Sequence, residues 1–118
     1  MTRRAKLPVV HEDTEELLGF VNQESSGWSA RTIFGYVIDR TVDQSTAERI
    51  VRDNGKKILS GTWRYYDDSE HDWFPCVLKE IYENRVVVIR TNELGFQEQK
   101  SYKLATLKDP DDTKLQKA

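Results

Sequence analysis

From Gly61 onward the chain offers only short apolar runs, "TWRYYD", "WFPCVLKEIY", "RVVVIRT" and "KSYKLATL", separated by the turn-rich stretches "DDSEHD", "YEN" and "NELGFQEQ". Runs of this length, rich in aromatic and β-branched residues, read as strands. Four or five short antiparallel strands with tight connections tend to close into a small barrel, because closure removes unpaired edges. This half of the chain therefore predicts β-architecture, and helix must come from the other half.

Alternation sorts the aromatics within these runs, since successive strand side chains point to opposite faces. If Trp63 and Tyr65 face a core, Arg64 and Tyr66 face away from it. If Cys76 and Leu78 face inward, so does Phe74, and Trp73 faces out. Tyr66 and Trp73 then flank one acidic loop as an outward aromatic pair, distinct from the packing aromatics Trp63, Tyr65 and Phe74.

Residues 12–60 carry a different pattern. "LLGFV" and "WSARTIFGYVID" are two extended runs around "NQESSG", which predicts a hairpin. "HEDTEELLGFV" could open with a short helix capped by Asp13 or Thr14. "VDQSTAERIVRDNGKKIL" is the clearest helix, with Asp43 as N-cap and Gly55 as a left-handed stop. Ala47, Ile50 and Val51 make its apolar stripe, which has to pack on the hairpin because so short a helix is marginal alone. The expected organisation is a flexible basic arm over residues 1–11, with Arg3, Arg4 and Lys6, then a ββα unit over 12–60. A barrel over 61–108 and a flexible tail over 109–118 complete it. The expected fold class is α+β and β-rich.

Composition narrows the chemistry. A chain of 118 residues with net charge -2, from 18 basic and 20 acidic residues, carries no strong field for nucleic acid. The lone Cys76 excludes an internal disulfide and, with no Cys/His cluster, a zinc site; a reducing cytoplasm is expected. The longest apolar runs fall far short of the roughly 20 residues of a membrane span, and the N-terminus lacks a secretory apolar region. The six glycines are scattered, so no phosphate loop or nucleotide site is expected. His71 sits among Asp67, Asp68, Glu70 and Asp72, but on turn spacing, which predicts a solvated acidic loop over a metal or general-base site. Cys76 lies inside an apolar strand, where a thiol behaves as a small hydrophobe. No catalytic residue, cofactor or metal is expected.

The stretch "DDSEHDWFPCVLKEIYENRVVVIRTNELGFQEQKSYKLATLKDP" places Trp73-Phe74, Cys76, Leu78 and Ile81 before Val86 and Val88, a turn at Gly95 and a close at Leu104 and Leu107. In this it resembles the Tudor-like branch of the SH3-like barrels. The resemblance implies a barrel of about five strands that binds a peptide or protein surface between its loops, in some members through an aromatic cage around a methylated cation. Leu94 stands where the family's Tyr-Gly turn has Tyr, and Thr91 and Asn92 also depart from the pattern, so a complete cage is not expected.

These readings converge on a non-enzymatic binding or assembly module that contacts a protein or peptide partner through Tyr66, Trp73 and Phe96. The alternative is an RNA- or DNA-associated accessory module using Arg31, Arg49, Arg52, Lys56 and Lys57 together with the N-terminal arm.

Overall fold

The computed structural model describes residues 5–91 and 103–118. The chain divides into two compact units, residues 1–57 and 58–118.

The first unit is an antiparallel meander in the order β1 (Lys6–Val10), β2 (Leu17–Glu24), β3 (Gly27–Arg31), β4 (Val37–Thr41), followed by α1 (Gln44–Asn54). Four strands precede the helix where two were expected, for two local reasons. Lys6–Val10, expected to belong to a loose arm, pairs with β2 from Lys6 opposite Asn22 to Val10 opposite Leu17. The second extended run is not one strand: Thr32 donates its amide to Tyr36 and receives that of Gly35, whose φ of 91° reverses the chain. A glycine at positive φ is a turn signal that the apolar alternation around it concealed. The expected helical start at "HEDTEE" is instead the β1–β2 loop, closed by hydrogen bonds of His11 with Glu15 and Glu16.

α1 starts as its sequence dictates. The Asp43 carboxylate accepts the amide of Thr46 at 3.2 Å, satisfying one of the donors that every helix start leaves unpaired. Its stripe, Ala47, Ile50 and Val51, packs with Val9, Leu18, Val21 and Ala30, and Leu7, Trp28 and Ile38 close around them. Gly55 does not end the helix in the left-handed conformation; its backbone is helical, at φ -55° and ψ -37°. The residue is glycine for space, since a Cβ there would lie 2.5 Å from the carbonyl oxygen of Leu18. Gly19 is tighter still, with a Cβ position 2.2 Å from the Arg31 carbonyl oxygen and 2.9 Å from Val51 Cγ1.

The second unit is a five-stranded antiparallel sheet ordered β8-β7-β6-β5-β9, comprising β5 (Trp63–Asp67), β6 (Asp72–Ile81), β7 (Arg85–Arg90), β8 (Leu104–Lys108) and β9 (Leu115–Lys117). It is not a closed barrel. The segment expected to be a frayed tail contributes β9, which takes the free edge of β5 with Tyr65 opposite Leu115. The two outermost strands, β8 and β9, do not pair with each other, so the sheet stays open among the described residues. Among the described residues the fold is thus two antiparallel sheets and one α-helix, and the expected SH3-like barrel on a ββα unit does not form.

Register assigns the two faces of this sheet. Trp63, Tyr65, Phe74, Cys76, Val86 and Val88 share one, and all but the half-buried Phe74 are at most 1% exposed. The Trp63 indole donates to the carbonyl of Ile58 at 3.1 Å, as a buried ring nitrogen must find an acceptor. Between Leu78 and Glu80 the register slips by one residue, a β-bulge at Lys79. It brings Leu78 and Ile81, three apart, onto the same face. No helix among the described residues is long and apolar enough to cross a membrane.

Candidate functional site

The β5–β6 hairpin turns at Asp67–Asp72, and Asp67 holds that turn together. One carboxylate oxygen accepts the amide of Ser69 at 2.9 Å, its hydroxyl at 2.6 Å and the amide of Glu70 at 3.0 Å. The other accepts Lys103 Nζ at 2.7 Å and Arg90 Nη2 at 3.0 Å. Arg90 also binds Glu70 at 2.8 Å and the Tyr65 hydroxyl at 3.0 Å, with its guanidinium 3.6 Å from the centre of the Phe74 ring. The acidic loop expected to be merely solvated is therefore anchored through a carboxylate only 7% exposed.

The Lys103 ammonium, then the Ser69 hydroxyl, hold the Asp67 carboxyl well below the usual carboxylate range. A carboxyl depressed in the folded state contributes stability that is present above its unfolded value, roughly pH 4, and lost as pH falls toward the folded one. Urea midpoints measured at stepped pH should decline below about pH 5 in the wild type. In Asp67→Asn the midpoint should start lower at neutral pH and decline less. Parallel declines in the two proteins would show that Asp67 is not the responsible group.

On the opposite face of the same hairpin, Tyr66 and Trp73 stand directly across the ladder. Their rings meet edge to face, with centroids 5.7 Å apart and planes at 72°, an arrangement that aromatic quadrupoles favour. Both are half-buried. Each ring also carries a cation of the chain itself: the Arg64 guanidinium lies 5.6 Å from the Trp73 ring and Lys114 Nζ 4.8 Å from that of Tyr66. Arg64 is steadied by the Gln116 amide oxygen at 2.8 Å, and Lys114 by Asp68 at 2.6 Å, which raises the lysine's pKa. Alternation in the sequence indicates Arg64 beside Tyr66; Lys114 and Gln116 carry no such local signal, because their segment reads as a charged tail. Phe96, the third residue of the expected contact surface, lies outside the described residues, as does Leu94.

The basic residues of the alternative site are dispersed in their roles. Arg31 is bound to Glu24 at 3.1 Å and to Ser29 at 2.9 Å. Arg52 pairs with Glu48 at 3.5 Å, and Lys56 with Glu16. Arg49 and Lys57 are exposed. Arg52 also borders an open cleft of about 330 Å³ whose lining includes Glu12, Glu15, Glu48 and His11. Carboxylates outnumber the cation there, which does not suit a phosphate backbone.

His71 is exposed, with φ at 54°, and among the described residues no group of three His, Cys, Asp or Glu side chains is placed to hold a metal ion. Burial pushes the Cys76 thiol up to about 12, far from the thiolate that a nucleophile requires.

No family model, curated protein or solved structure matches the chain.

Proposed function

We propose that this chain is a non-enzymatic binding module of the cytoplasm that engages a protein or peptide segment through the Tyr66–Trp73 face of its second sheet. The observation that carries the proposal is the edge-to-face pair itself: two large, half-buried rings, directly opposed on rigid strands and rimmed by Arg64, Lys114 and Gln116. Aromatic anchors inside a polar rim are where interfaces concentrate their energy, and holding the rings in place before binding limits the entropy lost. The buried, unpaired Cys76 suits a reducing compartment.

Trp73→Ala should leave the fold intact, because the ring lies on the face opposite Trp63 and Tyr65. It should weaken partner binding by about thirtyfold, the scale of a hot-spot truncation. Retention of partners from the native cell, compared between wild type and variant with and without nuclease, tests this directly. Retention that survives nuclease and is lost in the variant supports the proposal. A variant that unfolds while its affinity per folded molecule is unchanged places Trp73 in the packing and removes the site.

A further inference from the structure

We infer that the partner segment taken by the Tyr66–Trp73 face is acidic, with a carboxylate docking on Arg64; the inference rests on that face being the binding surface. Three features of the sheet support it. The positions over the two rings where a cationic ligand would sit are already taken by Arg64 and Lys114. A methylated lysine or arginine would have to displace a cation of the chain itself to gain the same attraction.

Arg64, unlike Lys114, has no acidic partner. Its contacts are the Trp73 ring and the neutral Gln116 amide, and among the described residues no carboxylate pairs with it. The guanidinium is exposed yet held on two sides. A planar fork fixed in this way is suited to accept a carboxylate through two parallel hydrogen bonds.

Among the strand residues of this face cations outnumber carboxylates. Register places Arg64 on it beside the rings and, at the end of the sheet away from the Asp67–Asp72 turn, Arg85 opposite Lys108, against Glu80. The acidic Asp67–Asp72 turn borders the rings and Lys114 is neutralised by Asp68, so the docking point is Arg64, the cation over the pair that no carboxylate of the described residues neutralises.

The test is a selection from a displayed library of random peptides about twelve residues long on the full chain, run in parallel on Arg64→Glu, Arg64→Gln and Trp73→Ala, with amide spectra confirming each fold. The wild type should enrich peptides of net negative charge that also carry an aromatic or large aliphatic residue. Their affinity should fall about tenfold in Arg64→Gln, further in Arg64→Glu, and with added salt. Trp73-dependent peptides that are neutral or basic, or acidic ones indifferent to both Arg64 variants, would overturn the acidic partner while leaving the binding face in place. Enrichment indifferent to Trp73→Ala, or no enrichment at all, would overturn both.

Discussion

Trp63→Ala should remove most of the stability of the second unit, at a cost of about 3–5 kcal/mol. The indole is fully buried at the start of β5, and Trp63 stands opposite Cys76 on one side and Lys117 on the other. Truncation opens a cavity beneath β6 and leaves the Ile58 carbonyl without the indole donor. Small domains are stable by only about 5–15 kcal/mol in total, so a loss of this size approaches the whole margin. Urea unfolding followed by circular dichroism should show a much lower midpoint, and amide exchange should accelerate throughout β5, β6 and β9. Trp63→Phe should recover part of the loss, because it restores apolar volume without restoring the hydrogen bond. A midpoint equal to the wild type for the alanine variant would mean that Trp63 does not organise this sheet.

Gly19→Ala is the counterpart in the first unit, with an expected cost of about 3 kcal/mol, at the upper end for overpacking. The added methyl would meet the backbone oxygen of Arg31 at 2.2 Å, and a strand carbonyl cannot swing aside as a flexible side chain can. Either β2 separates from β3 or α1 lifts away, and both expose Val21 and Val51. Gly35→Ala provides the internal comparison. No atom lies within 4 Å of its Cβ position, so the penalty there is the conformational cost of φ 91° alone, about 1–2 kcal/mol. Thermal unfolding of the two variants should rank Gly19→Ala well below Gly35→Ala. The reverse order would mean that the contact with the Arg31 carbonyl is relieved at less cost than φ 91° imposes at position 35.

The parts of the fold that were legible in the sequence are those set by local periodicity. Alternation separated Trp63 and Tyr65 from Tyr66, and Phe74 from Trp73, because a strand's side-chain period depends only on its own backbone. The Asp43 cap and the Ala47–Ile50–Val51 stripe were legible because helix starts and helix faces are encoded within a few residues. What escaped was decided by partners distant in sequence. Lys6–Val10, interrupted by Pro8, and Leu115–Lys117, only three residues long, are weak strand signals alone and become strands because β2 and β5 offer them open edges. The barrel expectation failed on a pairing of the same long-range kind, since the outermost strands β8 and β9 do not pair among the described residues.

The candidate site divides along the same line. Its rings and Arg64 follow from alternation, whereas Lys114 and Gln116 reach it only through the β5–β9 pairing. Asp67 looked like one carboxylate among several in a turn. Its distinction comes from Arg90 and Lys103, residues 23 and 36 positions away in the chain.

The slip of register at Lys79 also bears on how a lineage carrying this sheet could vary in length. Leu78 lies opposite Val88 and Glu80 opposite Val87, so Lys79 has no counterpart on β7. Loss of that single codon would straighten β6 while leaving every other residue on its present face. Loss of a neighbour such as Val77 would exchange the two faces on one side of the gap, turning Trp73 toward the packing and Phe74 away from it unless the bulge moved to compensate. Chains that differ by one residue should therefore differ first within "LKE", where a change of length leaves the aromatic pair undisturbed.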